Sequence, residues 1–176
     1  MEPKERIIAT ASRLFYTQGY NSTGINQVIR EANVAKATFY DHFPSKEDLL
    51  IDYLKFAAEN TNRELQAAVD KVATEKAKVQ AVFDYLLKQG SLTHYNGCNF
   101  LNTLAELPQG NLEVRKVIRD QKEHIRHLFR QILHRPGKER LADQLYLLFD
   151  AALSSSKVYG DKWPIEASKE FAKKLL

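Results

Sequence analysis

The segment from Asn33 to Leu50, NVAKATFYDHFPSKEDLL, contains side chains whose types and spacing suit contact with the bases of a nucleic-acid duplex. Lys36 can donate hydrogen bonds to guanine O6 and N7, and Ala37 can touch a thymine methyl group. Thr38 can bond to a donor or an acceptor on a base edge. On a helix over these residues, Lys36 and Ala37 point away from the side that carries Phe39 and Phe43. The pattern therefore indicates a surface that could read a sequence.

A second group of side chains suits contact with phosphate oxygens. Tyr40, His42 and Lys46 carry long or polar groups that can reach the backbone of a duplex. Helix starts near Thr23 and Ser45 would add free backbone N–H groups and the positive ends of two helix dipoles. Alternatively, Tyr40 and His42 are ordinary surface residues on a packing helix. Helical periodicity alone leaves both interpretations open.

The elements that must position these side chains are helices. Nearly every part of the chain has helical periodicity, and no stretch alternates long enough to predict a strand, so we predict an all-α fold. A first helix begins at Pro3 and stops at Gly19, and Thr23 can cap a short second helix. Asn33 tolerates the left-handed turn before a third helix over Lys36–His42. Two short helices joined by a tight turn make a helix-turn-helix, whose second helix enters the major groove.

The remainder of the chain predicts a larger helical domain. The sequence SKED, residues 45–48, is a capping box that opens a long fourth helix ending near Val72. Further helices are predicted at about Thr74–Leu92, Cys98–Leu107, Asn111–Leu133, Lys138–Val158 and Pro164–Leu176. We therefore predict a helix-turn-helix domain over residues 1–47 and a helical domain over residues 48–176.

Composition limits the classes of protein that the chain could be. Of its 176 residues 44% are hydrophobic, enough for a buried core. The single cysteine, Cys98, excludes an intrachain disulfide, and no apolar run approaches the ~18 residues of a membrane span, so we expect a cytoplasmic protein. The net charge of +4 does not itself indicate nucleic acid, because residues 1–50 hold six basic and six acidic side chains.

Other reactive side chains have simpler explanations. His124 and His127 lie three positions apart with Asp120 one turn earlier, and could ligate a metal, but a solvated basic face explains the same spacing. Cys98 could be a redox-sensing thiolate at a helix start or a small buried residue. No catalytic triad, phosphate-binding glycine loop or paired-carboxylate motif occurs. We predict no enzymatic activity, no cofactor and no metal.

Residues 11–50, ASRLFYTQGYNSTGINQVIREANVAKATFYDHFPSKEDLL, resemble the N-terminal domain of the tetracycline-repressor (TetR) family of bacterial transcription regulators. The matching positions, in order, are Ala11, Leu14–Phe15, Gly19–Tyr20, Thr23, Ile25, Val34, Thr38, Tyr40, Phe43 and Ser45–Lys46. The family usually has glycine where this chain has Asn33, and often glycine at Ala37. Asn33 still permits the turn, whereas Ala37 adds a methyl group to the DNA-facing surface.

The resemblance implies a regulator that binds a palindromic operator in double-stranded DNA, and repression is the expectation for this family. The positions that match family residues at or near DNA are Thr23, Lys36, Ala37, Thr38, Tyr40, His42 and Lys46. Bacterial regulators of this kind are associated with the nucleoid when they are bound to DNA.

The resemblance also implies functions for residues 48–176. Family members dimerise through their last two long helices, here residues 138–176, and the apolar circumference of the first of these suits a core and a partner. They also bind a small molecule, which swings the fourth helix so that the recognition helices no longer fit adjacent major grooves. The lining predicted for this chain is Phe56, Asn60, Phe83, Leu87, Phe100, Leu104, Gln121 and Ile125. Asn60 and Gln121 interrupt apolar stripes, so we expect a few polar groups to orient an apolar or aromatic effector.

Two alternatives remain open at this level. The helix over Lys138–Val158 could be fully buried within a monomer instead of serving a dimer. The DNA-binding protein could also be controlled by a protein partner and not by a small molecule. Operator binding distinguishes a regulator from an enzyme, and effector-induced release distinguishes the two kinds of regulator.

Overall fold

The computed structural model describes residues 2–176, and across that range it contains nine α-helices and no strand. Their bounds are α1 (Pro3–Gln18), α2 (Ile25–Glu31), α3 (Lys36–His42), α4 (Lys46–Asp70), α5 (Glu75–Leu92), α6 (Asn99–Glu106), α7 (Leu112–Ile132), α8 (Glu139–Tyr159) and α9 (Trp163–Leu175). The predicted all-α class is confirmed, and the predicted helices are present with ends shifted by a residue or two. None of the helices described is long and apolar enough to cross a membrane.

The helix ends follow from local sequence. α1 starts at Pro3, whose missing N–H is harmless in a first turn, and the Glu2 N–H donates to the Glu5 carboxylate at 3.1 Å. The helix stops at Gly19, whose φ of 93° lies in the region that favours glycine. At the start of α5 the Thr74 hydroxyl accepts the Ala77 N–H at 3.2 Å. Short-range chemistry therefore accounts for where these helices begin and end.

One compact unit comprises the chain up to Glu59 together with Asn99–Arg119. Within it α1 packs against α2 and α3. Its buried side chains include Ile7, Ala11, Leu14, Phe15, Val28, Phe39, Phe43, Leu49 and Leu50. The Phe15 ring meets the Tyr53 ring edge-on with centroids 5.6 Å apart, an arrangement that aromatic pairs prefer. The first three helices and the start of α4 thus share one apolar core.

The other compact unit comprises Asn60–Cys98 and Asp120–Leu176. Within it α9 packs against both α5 and α8. The large side chains of its core include Leu65, Val82, Phe83, Leu86, Ile125, Phe129, Leu145, Phe149 and Ile165. Asp143 on α8 accepts hydrogen bonds from Arg126 and Arg130 of α7 at 2.8–3.0 Å. A charged cluster therefore joins α7 to α8 beside the apolar core.

The boundaries of these two compact units differ from the predicted domain boundary after Glu47. α4 is one continuous helix of 25 residues, and its residues up to Glu59 belong with the N-terminal helices. Residues Asn99–Arg119, which include α6, belong with them as well. Such grouping depends on contacts between residues far apart in the chain, which periodicity does not reveal. The division into residues 1–47 and 48–176 stays a prediction about function.

Candidate nucleic-acid interface

The turn between α2 and α3 is the left-handed turn that the sequence predicted. Asn33 has a φ of 52°, a conformation that asparagine tolerates better than most residues. The Asn33 N–H donates to the Arg30 carbonyl at 3.2 Å, and the Val34 N–H donates to the Ile29 carbonyl at 3.3 Å. These bonds close α2 and redirect the chain into α3. The two helices therefore form the helix-turn-helix that was predicted.

α3 has a buried face and an exposed face. Phe39 is fully buried, and its ring lies 6.0 Å from that of Phe43, centroid to centroid. Lys36, Ala37 and His42 are exposed, as is Tyr40 at 42%. Thr38 is half-buried. The structure therefore brings five of the seven predicted DNA-contact residues together on one short helix, all with accessible surface.

Thr23 does not belong to that surface, and its prediction as a helix cap was wrong. The residue is 0% exposed, and its hydroxyl donates to the Gly19 carbonyl at 2.7 Å. α2 is instead capped by Gly24, which has extended backbone angles. Threonine and glycine are both acceptable caps, so the deciding factor is the use of the Thr23 hydroxyl inside the preceding turn. The Thr23 side chain thus supports the loop before α2 instead of facing a duplex.

Ser45 caps α4 as predicted. Its hydroxyl oxygen accepts the Asp48 N–H at 3.1 Å and donates to the Asp48 carboxylate at 2.6 Å. Lys46, the first residue of the helix, is half-buried, and its ammonium lies 4.2 Å from the centre of the Tyr20 ring. Burial lowers the pKa of Lys46, while the nearby Glu106 carboxylate opposes that effect. Lys46 is therefore held against the protein and not extended into solvent.

Glu106, at the end of α6, is a residue of this region that sequence reasoning missed. Its carboxylate accepts the Tyr20 N–H at 3.2 Å and the Asn21 N–H at 2.7 Å. The Asn21 side-chain amide donates to the Glu106 backbone carbonyl at 3.0 Å. No local motif signals this contact, because the partners are 85 or 86 positions apart. The turn between α1 and α2 is therefore fixed from outside the first 47 residues.

Acidic side chains near the helix-turn-helix are partly neutralised by basic ones. Arg13 on α1 donates to the Glu31 carboxylate at the end of α2 at 2.5 Å, and Gln27 donates to the same group at 2.9 Å. The hydrogen bond from Arg13, followed by that from Gln27, lowers the pKa of Glu31. Lys4 pairs with Asp52 at 2.9 Å. The negative charges of Glu31 and Asp52 are therefore paired with positive charges of the protein itself.

The residues predicted to line a ligand site fall into both compact units. In the unit that holds α1–α3, Phe56 is 43% exposed, Phe100 is buried and Leu104 is half-buried. In the other unit Phe83 and Ile125 belong to the apolar core, and Leu87 packs against it. Their role as ligand contacts stays a prediction, because burial in a core explains the same apolar periodicity.

The two amides of the predicted lining have different environments. Gln121 is 4% exposed and forms a reciprocal pair with Asn62, in which each amide N–H₂ donates to the other oxygen, at 2.8 and 3.0 Å. Asn60 instead accepts a hydrogen bond from Arg63 at 2.6 Å on the exposed side of α4. Gln121 is therefore paired with Asn62 and Asn60 with Arg63, and the role of Asn60 and Gln121 as ligand contacts stays a prediction.

A polar cluster also surrounds Cys98. The Lys122 ammonium lies 3.3 Å from the Cys98 sulfur and 2.7 Å from the Asp150 carboxylate, which also accepts the Tyr146 hydroxyl at 3.0 Å. Burial works against the ammonium charge, but the neighbouring Cys98 and Asp150 outweigh it, so the pKa of Lys122 is raised. Among residues 2–176 no group of three or more His, Cys, Asp or Glu could hold a metal ion. The cluster is thus a set of mutually satisfied side chains within one unit.

Comparisons with known proteins agree with this geometry. Residues 7–53 match the family model described as bacterial regulatory proteins of the tetR family. The HTH-type transcriptional regulator LmrA of Bacillus subtilis (strain 168) is 33% identical over 93 residues, which are 52% of this chain and 50% of that protein. The uncharacterized HTH-type transcriptional regulator YxaF of the same organism is 34% identical over 80 residues, 45% of this chain and 42% of that protein. The chain thus spans half or less of the length of these relatives.

A solved structure extends the likeness in fold to the whole chain. The TetR transcriptional regulator from Legionella pneumophila has a TM-score of 0.86 at 24% sequence identity, with 100% of this chain and 98% of that chain covered. The relatives are transcriptional regulators and not enzymes, in agreement with the prediction from sequence. Residues 7–53 thus match the tetR family of bacterial regulatory proteins, and the whole chain is similar in fold to the TetR transcriptional regulator from Legionella pneumophila.

Proposed function

We propose that the chain is a homodimeric repressor that binds a palindromic operator through α3 and is released by a small molecule. The observation that carries the proposal is the two-faced character of α3. Phe39 anchors the helix in the core, while Lys36, Ala37, Tyr40 and His42 face solvent. A helix that is fixed on one side and polar on the other suits insertion into a major groove. Its site of action would be operator DNA in the bacterial cytoplasm.

Different side chains of this surface would serve position and specificity. Lys36, Ala37 and Thr38 form the first turn of α3, the part of a recognition helix that meets base edges. Tyr40 and His42 lie further along the helix and suit phosphate contacts, which fix register without reading sequence. Base discrimination should therefore depend on residues 36–38, and affinity for any duplex should depend on the others.

Exposed apolar faces on α8 and α9 support the homodimer. On α8 an exposed row at helical spacing comprises Leu147, Ala151, Ser154 and Val158. Leu147 is 63% exposed and Val158 79%, while the small residues between them would let a second helix approach closely. On α9 the exposed residues Trp163, Ala167, Phe171 and Leu175 repeat every four positions. Burying such faces against their copies would remove apolar surface from water, which favours a four-helix interface.

Gln121 supports a small-molecule site within its own unit. A buried amide costs free energy unless it is paired, and here the pairing is with another side chain, Asn62, which can exchange its bonds for those of a ligand. Leu87 and the core residues Phe83 and Ile125 belong to the same unit and supply apolar surface. An effector with an apolar or aromatic body and one group able to bond an amide fits this combination.

The experiment that tests the proposal is selection of bound duplexes from a random DNA pool at ~100 mM salt, since affinity depends on salt. Recovery of an inverted repeat, with half-site centres one helical turn or a multiple apart, is the expected result. Loss of binding to that duplex on addition of an apolar compound would then support effector control. Enrichment of no duplex would contradict the proposed function, and binding that no small molecule relieves would favour control by a protein partner.

A further inference from the structure

Glu106 bonds to the turn between α1 and α2 at three points. Its carboxylate oxygens accept the backbone N–H groups of Tyr20 and Asn21 at 3.2 and 2.7 Å, and its own carbonyl accepts the Asn21 amide at 3.0 Å. Hydrogen bonds to an ionised acceptor are shorter and stronger than neutral ones. A single residue of α6 therefore determines the backbone path that leads from α1 into α2.

The turn is shaped to receive that carboxylate. A Cβ atom built on Gly19 would lie 2.8 Å from a Glu106 oxygen, closer than real Cβ contacts come, and the φ of Gly19 is 93°. A carboxylate in the last turn of a helix also faces the negative end of the helix dipole, which disfavours it there. Its placement at the end of α6 is offset by the two N–H donors and by the nearby ammonium of Lys46. These features indicate a specific docking contact.

The same cluster reaches the starts of two helices. The ammonium of Lys46, the first residue of α4, lies 4.2 Å from the centre of the Tyr20 ring. It also interacts electrostatically with the Glu106 carboxylate. Thr23, directly before the Gly24 cap of α2, bonds to the Gly19 carbonyl at 2.7 Å. The start of the long helix α4 supplies backbone N–H groups that suit phosphate oxygens. Any shift of Glu106 would alter the turn that carries the Tyr20 ring, and with it the position of Lys46 at that start.

We infer that Glu106 is a positioning residue for DNA binding, which holds the turn at Tyr20 and Asn21 and thereby the Tyr20 ring over which the Lys46 ammonium lies at the start of α4. The inference rests on the proposed operator binding and deepens it, because it places a determinant of affinity on α6. Glu106 itself is not expected to touch DNA. Its effect passes through the turn at Tyr20 and the start of α4, so its loss should change affinity without changing the preferred sequence.

The test compares the wild-type chain with Glu106→Ala and Glu106→Gln on the duplex recovered by selection. Glu106→Ala should weaken binding about tenfold, because the two charged hydrogen bonds that hold the backbone of the turn are lost. Glu106→Gln keeps one acceptor oxygen and the side-chain size, so it should weaken binding less and remains informative if the alanine variant folds poorly. Amide hydrogen exchange at Asn21 should accelerate in the same order. Glu59→Gln, an exposed carboxylate in the same compact unit, is the matched control and should change neither quantity.

A double-variant cycle separates positioning from simple stabilisation. Lys46→Ala should lower the salt slope of binding by about 1 in the wild-type background and by less in the Glu106→Ala background. If Glu106→Ala lowers the melting temperature but binds like wild type per folded molecule, or if the two substitutions act additively, the inference is overturned and Glu106 only stabilises the fold. If wild type selects no duplex, the proposed function has failed and the inference with it, which is a different result from wild-type binding that Glu106 variants do not alter.

Discussion

The ammonium of Lys46 lies 4.2 Å from the centre of the Tyr20 ring, within reach of the Glu106 charge. A cation over an aromatic face gains about 0.5–1 kcal/mol at an exposed site. A DNA phosphate offers Lys46 a full opposite charge and releases counterions on binding. We therefore expect Lys46 to exchange the ring for a phosphate when the protein meets a duplex.

Replacing Lys46 should accordingly affect all duplexes alike. Lys46→Ala should weaken binding to selected and unrelated duplexes by similar factors and lower the slope of log K against log salt by about 1. Fluorescence anisotropy titrations at several salt concentrations measure this. Lys55→Ala, an exposed lysine further along α4, provides the control and should keep the wild-type slope. An unchanged slope for Lys46→Ala would remove Lys46 from the phosphate contacts.

Replacing Lys36 or Ala37 should change sequence preference instead. Lys36→Ala should cost about 1–3 kcal/mol on the preferred duplex and relax discrimination at one base pair in each half-site. Ala37→Gly removes the methyl group that can touch thymine and should shift preference at a neighbouring position. Binding measured against a panel of single-base variants of the selected duplex reports both effects. If either substitution rescales all panel members equally, base reading has been assigned to the wrong residues.

The exposed row on α8 should control assembly. Val158→Glu would place an unpaired carboxylate in the proposed interface, and burial of such a charge costs several kcal/mol, enough to raise the dimer Kd by roughly 100-fold or more. Sedimentation velocity measures the monomer fraction. Leu112→Glu is the control, because it also introduces a glutamate at an exposed apolar residue. Leu112 is 75% exposed and lies on α7, outside the proposed interface, so this variant should leave the dimer intact. A Val158→Glu variant that sediments like wild type would place the interface elsewhere.

The charged cluster between α7 and α8 should make stability depend on acid. Hydrogen bonds from Arg126 and then Arg130 hold the pKa of Asp143 well below its ordinary value of 3.8. A carboxyl with a lower pKa when folded contributes stability that is complete above its unfolded pKa and is lost as the pH falls through the folded pKa. Asp143→Asn should therefore destabilise the protein most at neutral pH, and its difference from wild type should shrink as the pH drops below about 4.

Urea unfolding at pH 7, 5 and 3.5 measures that dependence. Glu170→Gln, an exposed carboxylate on α9 in the same unit, serves as the control and should show a smaller difference at neutral pH. An Asp143→Asn effect of equal size at all three pH values would mean that the carboxylate acts through packing and not through its charge.

The recognition helix could be predicted from sequence because its signals are local. Asn33 permits the turn, Pro44 stops the helix, and the alternation of Phe39 and Phe43 with polar residues indicates which side is buried. Thr23 shows the limit of such rules, since two adjacent residues could cap α2. The choice of Gly24 depends on a hydrogen bond from Thr23 back to Gly19, which only the folded turn reveals.

Contacts between distant residues could not be predicted in this way. Glu106 and Asn21 are 85 positions apart, and no motif in either segment indicates that the two residues are in contact. Periodicity identified Phe83 as inward-facing, but an inward face can meet a core or a ligand, and membership of the apolar core does not distinguish the two. Asn60 and Asn62 have different partners, Arg63 and Gln121, because two positions along α4 turn the side chain by about 200°.

The affinity of a Lys36→Ala/Tyr40→Ala variant for the selected duplex tests most directly whether the exposed face of α3 binds the operator. Both side chains are exposed, so the variant should melt within a few degrees of wild type. We expect a loss of affinity of roughly 100-fold, because one base contact and one phosphate contact are removed. A correctly folded variant that binds the duplex as tightly as wild type would contradict the assignment of α3 as the DNA-reading element.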